Sequence, residues 1–319
     1  MVFSGPGWCT MRMRTPAQFR FGINLRGTDP AAVPNAARAA EDAGFDVLYA
    51  ADHLGSYDPF AALTCAAAAT TRIRLGTLVL NNEFWNPALL ARAVASVDRI
   101  SDGRFELGLG CGYMKSEFDT AGIPWRPHRQ RVQNLAASLD ELDPHFAPGG
   151  LEPTPLQQPR PPLLIGAHGP ATLELAARYA DIVGYSGLTQ RRDAEPGNFR
   201  VAGSEETLER VELVSQLAAE RVRELEFNVL IQHVEITDDA EGAAAALVER
   251  FHRAGLVSAR DVLDTPFILV GTAQEIANEI LTARDRYGFT NIVTHGAFRD
   301  ALAQVIPLVR RDADERRAS

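Results

Sequence analysis

Residues 73–110 read IRLGTLVLNNEFWNPALLARAVASVDRISDGRFELGLG. Ile73 to Leu80 is a short apolar run bounded by polar residues, the signature of a buried strand. Pro87 to Ile100 carries the apolar period of a helix, with Pro87 in its first turn and Asp98-Arg99 at its end. Arg104 to Leu109 is apolar again and reads as the next strand. One strand, one helix and one strand in about forty residues is a βαβ unit, which implies parallel pairing.

The same alternation extends in both directions. Toward the N-terminus, Phe19 to Leu25 is strand 1 and ends at Arg26-Gly27; Asp29 to Ala43 is a helix opened by Asp29-Pro30 and closed by Gly44. Phe45 to Ala51 is strand 2, and Pro59 to Thr70 an alanine-rich helix. Toward the C-terminus, helix Pro127 to Leu142 leads through a proline- and glycine-rich connection to strand 5, Leu163 to Gly166. Helix Pro170 to Ala180 and strand 6, Asp181 to Tyr185, follow. A polar stretch from Gln190 to Gly203 precedes helix Ser204 to Val222. Strand 7 spans Leu225 to Ile236, with helix Asp239 to Ala254 after it; Phe267 to Val270 is a short apolar piece before helix Thr272 to Tyr287. Strand 8, Thr290 to Thr294, and a closing helix, Asp300 to Arg310, complete the count.

Eight strands each followed by a helix predict an α/β fold, a (β/α)8 TIM barrel with loop insertions at its C-terminal face. A doubly wound sheet is the competitor, and the count of eight without a compositional break favours the barrel. Residues 1–18 read as a flexible N-terminal extension and 19–319 as one barrel domain.

Composition removes several function classes. The 319 residues carry 32 basic and 41 acidic side chains, net −9, without a clustered basic face, so no nucleic-acid partner is expected. No apolar run is long enough for a membrane span, and no secretory h-region opens the chain, which reads as soluble and cytoplasmic. Cys9, Cys65 and Cys111 are too scattered for a zinc site or a disulfide framework, and no H-E-x-x-H is present, so no metal is expected. Lys115 is the single lysine, which disfavours Schiff-base chemistry. G-x-S-x-G is absent, which argues against an α/β-hydrolase.

In a TIM barrel the active site is built from residues just past the strand ends. That rule selects Asn24 and Arg26, Asp52 and His53, Asn81 to Glu83, Cys111, Tyr113 and Glu117, His168 and Gly169, Tyr185 and Ser186, and His295. His53 suits proton transfer near neutrality; a histidine bonded to a loop carbonyl is the alternative. Gly166-Ala-His-Gly-Pro170 joins a strand to a helix start, where glycine and free amides would favour a phosphate, a plain turn being the other reading. Gly108-Leu-Gly-Cys-Gly112 lacks the dinucleotide spacing and reads as a barrel strand against which something packs closely, with Cys111 an interior residue. Trp85, Trp125, Tyr113, Met114 and Phe118 suggest an apolar pocket wall. Glu174, Glu209 and Glu275 sit mid-helix and are expected to be solvated.

These pieces together resemble the luciferase-like monooxygenase superfamily. The resemblance rests on Asp52-His53, on Ile73-Arg-Leu-Gly-Thr-Leu-Val79 followed by Asn86-Pro-Ala-Leu-Leu-Ala-Arg92, and on Ser101-Asp-Gly-Arg-Phe-Glu-Leu-Gly-Leu-Gly110. Gly166 to Pro170 and Val270-Gly-Thr272 also fit. Asn81-Asn82 and Pro266-Phe-Ile-Leu-Val-Gly-Thr272 look most like the coenzyme F420-dependent oxidoreductase branch.

The resemblance implies a cofactor ring in the barrel mouth: F420, which exchanges hydride, or, as the alternative, reduced FMN in a monooxygenase using O2. By the same resemblance His53 matches the histidine near the reactive ring, Leu80 to Asn82 a bulged backbone that often holds a cis peptide, and Ala167 to Gly169 the phosphate turn. The expected catalytic residues are His53, Tyr113 and Glu117. The expected cofactor contacts are Asp52, His53, Leu80, Asn81, Asn82, Cys111, Ala167, His168, Gly169, Pro170 and Ser186. Tyr113, Tyr57 and Leu188 depart from the pattern of sugar-phosphate dehydrogenase members, so a phosphorylated sugar is not the expected substrate. The implied reaction is hydride transfer with an activated double bond in a small molecule or modified peptide, by a homodimer. A ligand-binding barrel without catalysis is the non-enzyme alternative.

Overall fold

The computed structural model describes residues 18–27, 29–191 and 194–318. The extension expected at residues 1–18 lies, but for its last residue, outside them. Eight parallel strands form the barrel: β1 (Arg20–Leu25), β2 (Val47–Ala50), β3 (Arg74–Thr77), β4 (Phe105–Gly110), β5 (Leu163–Gly166), β6 (Ile182–Tyr185), β7 (Glu226–Ile231) and β8 (Phe289–His295). They run in the order β3-β2-β1-β8-β7-β6-β5-β4, and β3 pairs with β4 to close the circle. The (β/α)8 expectation is therefore met.

Local sequence explains the helix starts. Asn86 accepts from the amides of Ala88 and Leu89, and Asp58 from that of Ala61, so each side chain caps a helix whose first residue is proline. Glu275 is exposed, as expected, but it does not sit mid-helix. It occupies the third position of helix Ala273–Tyr287 and closes a capping box with Thr272.

Two other readings need correction. Leu225 to Ile236 is two strands: β7 ends at Ile231, and His233–Ile236 leaves the barrel to pair with Ile268–Gly271. A strand-like run interrupted only by single polar residues and Gln232-His233 does not announce that its hydrogen-bonding partner changes midway. The polar stretch after β6 is partly an antiparallel hairpin, Leu188–Gln190 with Phe199–Val201.

The barrel interior is layered along its axis. At the N-terminal end the buried carboxylate of Glu106 accepts from Arg20, Arg74 and the hydroxyl of Tyr49, while Arg20 also pairs with Glu226 at 2.7 Å. Above it lies an apolar layer of Val47, Tyr49, Leu164, Ile182, Leu230 and Val293, on which Leu78 and Val79 pack. The larger core lies outside, between strands and helices. The C-terminal end holds a cavity.

The third stave is irregular where it reaches that cavity. Gly76 pairs with Glu106, and Leu80 with Leu109, so four steps on one strand span three on the other. The extra residue is a β-bulge containing the cis peptide Leu78-Val79. Gly108 is what admits it: a Cβ there would lie 1.9 Å from the Thr77 carbonyl oxygen. The Thr77 hydroxyl completes the junction, donating to the Gly108 carbonyl at 2.9 Å and accepting from its amide at 2.7 Å.

Candidate active site

The cavity at the C-terminal end has a volume of about 840 Å³, at the upper end of the range for sites that enclose a small-molecule ligand. Its floor is the bulge, Leu78 to Leu80, resting on the inner apolar layer. Leu188, Thr189, Gln190 and Phe199 of the hairpin after β6 form part of its wall. The second strand of the hairpin lies in the stretch Gln190 to Gly203 read only as polar, and the first, Leu188–Gln190, begins before it and is too short for alternation to identify it.

The three expected catalytic residues meet at this cavity. His53 follows β2, Tyr113 follows β4, and Glu117 stands in the first turn of helix Lys115–Ala121. His53 Nδ1 is 2.9 Å from Glu117 Oε1, and Nε2 is 3.1 Å from the Tyr113 hydroxyl. Glu117 is buried, and a buried carboxylate in contact with Nδ1 favours a proton on that nitrogen. Nε2 is then the nitrogen that accepts from the Tyr113 hydroxyl. Burial pushes the Tyr113 hydroxyl above its ordinary pKa, so it stays protonated at neutral pH. Tyr113 also stacks edge-on against Phe199, at 5.1 Å between ring centres, so the hairpin holds the phenol in place.

Asp52 has a different task from its neighbour. Its carboxylate accepts from the Asn81 amide at 3.1 Å and from Trp85 Nε1 at 2.9 Å. It ties the end of β2 to the strand after the bulge, and burial raises its pKa. Asn81 in turn accepts from the amide of Glu83. Gly112 has φ +68°, and a Cβ there would meet Asn81 Oδ1 at 2.3 Å, so the chain past β4 can pass Asn81 only as glycine.

On the opposite side the turn after β5 contributes His168 and Gly169. His168 Nε2 lies 3.2 Å from the Ser186 hydroxyl, while its Nδ1 is buried with no partner. Burial, with Arg210 and His128 nearby, lowers the pKa of His168 to about 4, so the ring is neutral at pH 7. The amides of His168 and Gly169, expected to be free for an anion, donate to the Thr172 hydroxyl at 3.2 and 3.3 Å. Nothing lies within 4 Å of where a Gly169 side chain would begin.

Not every expected contact lines this cavity. Asp52, His53, Leu80, Asn81, Cys111, His168, Gly169 and Ser186 do; Pro170 borders an adjoining cavity instead. Asn82 and Ala167 are buried away from it. Of the expected apolar wall, Tyr113 and Trp125 line the cavity, whereas Trp85, Met114 and Phe118 do not. Trp85 is spent on Asp52 and on stacking with Phe60, and Phe118 sits between Phe84 and Trp125. Cys111 is buried, and its thiol is pushed up to about 12 by desolvation, which removes it as a nucleophile. Sequence reading missed Asn228, Gln232 and Arg131, which also line the cavity. Asn228 is central in a strand rather than past its end, so a rule based on strand ends passes over it.

Two observations bear on a cofactor. Tyr185 and Asn228, both buried in the wall, present a hydroxyl and an amide oxygen without partners, as does His168 Nδ1. Buried polar atoms are normally satisfied, and these converge on a space open to a polar ring system. The residues present therefore fit a large flavin-like group, which the bulge and the Gly169 turn would hold. Among the described residues no cluster of metal-ligating side chains occurs, and no helix is long and apolar enough to cross a membrane.

Comparison with known proteins supplies context for this geometry. The family model described as luciferase-like monooxygenase matches residues 11–291. The chain is 34% identical over 170 residues to a 5,10-methylenetetrahydromethanopterin reductase of Methanolobus tindarius, covering 50% of this chain and 52% of that protein. It is 32% identical over 157 residues to the enzyme of the same name from Archaeoglobus fulgidus, covering 45% and 46%. The chain thus spans about half the length of the curated relatives it matches. Among solved structures, an F420-dependent secondary alcohol dehydrogenase in complex with an F420-acetone adduct superposes with TM-score 0.72 at 18% identity, over 92% of this chain and 99% of that one. A long-chain alkane monooxygenase gives TM-score 0.70 at 13% identity, over 94% and 92%. At such identities the likeness is one of fold.

Proposed function

The chain belongs to the luciferase-like monooxygenase family, and from that premise we propose that it is an F420-dependent oxidoreductase acting on an activated double bond of an organic substrate. The observation that carries this reading is the hydrogen-bonded chain Glu117–His53–Tyr113 at the edge of a cavity floored by the Leu78-Val79 bulge. The relatives named as reductases and the alcohol dehydrogenase neighbour favour F420 over FMN.

When bound, F420 supplies or accepts a hydride. The chain's own residues do the remainder. Leu78, Val79 and Leu80 provide an apolar floor for the ring, and Asn228, Tyr185 and Ser186 present polar groups to its edge. Gly169 and Thr172 border the path of the tail. Glu117 orients His53 through Nδ1, leaving Nε2 to donate or accept the proton that hydride transfer requires, with the Tyr113 hydroxyl in contact with the same atom. Phe199 packs edge-on against Tyr113 and holds the phenol beside that nitrogen.

Paired fluorescence titrations with F420 and FMN test the reading. Binding of F420 at micromolar concentrations or below, with FMN much weaker, is the expected result. The reverse preference overturns it in favour of an oxygen-using monooxygenase, and binding of neither removes the cofactor assignment.

A further inference from the structure

Arg26 stands just past the end of β1, in the wall of the cavity, and among the described residues its guanidinium has no ion pair or hydrogen-bond acceptor. Other exposed arginines, such as Arg72, Arg92 and Arg260, also lack a partner among the described residues, but Arg26, itself exposed, lines the cavity and they do not. Arg131, also in the wall, donates to the backbone carbonyls of Cys111 and Arg126 and lies over the Trp125 ring. Arg20 and Arg74 are held by Glu106, and Arg126 by Glu83.

The position of Arg26 is set by the site itself. The carbonyl of the next residue, Gly27, accepts from the Tyr57 amide at 3.0 Å and from the Ser56 hydroxyl at 2.9 Å. Arg26 is thereby tied to the loop that carries His53. Its charge also acts on the Tyr113 hydroxyl and on His295, both in the same cavity wall. Two residues earlier on the same strand face, Asn24 is buried with its amide oxygen unpartnered and opens into the same space. A cation thus stands beside the Tyr113 and His53 pair, within a protein whose net charge is −9, while the Asn24 oxygen, an acceptor, calls for a donor group elsewhere on the ligand.

We infer that Arg26 is a substrate-binding residue that selects molecules bearing a carboxylate and holds that carboxylate beside His53 and Tyr113. The planar fork of a guanidinium matches one carboxylate with two parallel hydrogen bonds. One free guanidinium with Glu117 close by suits a singly charged group rather than a dianion. Placed there, a carboxylate conjugated to a double bond leaves that bond within the space between the proton relay and the bulge. The inference rests on the proposed oxidoreductase reading, since it takes this cavity as the substrate site.

The test uses the purified full chain with two isosteric probes, trans-cinnamate and trans-cinnamamide, whose binding is measured by ligand-observed NMR. In the wild type the acid is expected to bind about tenfold more tightly than the amide, the scale of one charge-assisted contact. The ratio falls to about unity in R26Q and is partly restored in R26K, while F420 titrations of all three proteins coincide. Equal affinity for acid and amide in the wild type overturns the inference, as does a preference that survives R26Q. Loss of F420 affinity in R26Q with the acid preference intact also overturns it, and gives Arg26 to the cofactor instead. If the wild type shows the acid preference and R26Q abolishes it, yet F420 does not bind, the carboxylate site stands and the cofactor reading falls.

Discussion

Nδ1 of His53 lies 2.9 Å from Oε1 of Glu117, although the two residues are separated by 64 positions, one on the loop after β2 and the other in the first turn of helix Lys115–Ala121. The contact fixes one nitrogen of the imidazole and leaves the other facing Tyr113. This division of labour makes separable predictions for the three side chains.

Replacing His53 with alanine should lower turnover by about 100-fold or more, while F420 affinity changes by only a few-fold, because the proton step and not cofactor binding is removed. Glu117→Gln should lower turnover less, by about tenfold, and alter the pH profile, since it acts through His53. Steady-state kinetics across pH, combined with F420 titration, check both. Turnover of His53→Ala within a factor of two of wild type would remove His53 from the chemistry.

Two glycines differ in what they permit, Gly108 beneath the bulge and Gly169 in the turn after β5. Gly108→Ala places a methyl group against the Thr77 carbonyl and should cost about 3 kcal/mol or more in urea unfolding. Gly169→Ala meets nothing within 4 Å and should leave stability within about 0.5 kcal/mol, yet weaken F420 binding about tenfold by narrowing the path of its tail. Equal destabilisation by both substitutions would contradict this assignment.

His168 sets a pH dependence whose sign follows from its lowered pKa. The unfolded chain protonates this histidine near the ordinary value of 6.5, whereas the folded state holds it neutral until about 4. Its contribution is intact above about 6.5 and is lost as pH falls from there to about 4, by up to about 3 kcal/mol. Stability curves of wild type and His168→Gln should therefore converge toward acid pH. A constant difference between pH 7 and 4.5 would refute the assignment.

At the other end of the barrel, Glu106→Gln leaves Arg20 and Arg74 without their shared carboxylate. Breaking one partner of a buried ionic network typically costs about 3–5 kcal/mol, and the urea midpoint should fall accordingly with little change in F420 affinity.

Cysteine labelling offers an independent check on the site wall. With its thiol pushed up to about 12 and buried, Cys111 should resist iodoacetamide in the native protein at pH 8, while the exposed Cys65 reacts. Peptide mapping by mass spectrometry reads the two positions separately, and rapid labelling of Cys111 would show an open wall.

Much of this was legible in the chain because it is local. Apolar runs of strand length, prolines opening helices and polar residues just past strand ends need only a few neighbours to be read, and they led to His53, Tyr113 and Glu117. What was misread involved distant partners. Trp85 looked like a pocket wall, but its indole is drawn to Asp52, and Phe118 is enclosed by Phe84 and Trp125. The amides of His168 and Gly169 are a different case: their acceptor, the Thr172 hydroxyl, is only four and three residues on, a local contact that the reading of a free helix start passed over.

The sequence by itself determined the repeating strand–helix period, the glycines that allow close approach on β4, and the set of polar side chains at one end of the barrel. These follow from side-chain volume, φ preference and hydrophobic period, all properties of short segments. Only the tertiary structure decided which of those side chains touch. Closing the sheet at β3 and β4 forced the bulge, seated Leu78 and Val79 on the inner core, and left Arg26 without a partner beside the relay. A contact across tens of residues depends on where barrel closure puts each strand end, and no local pattern encodes that distance.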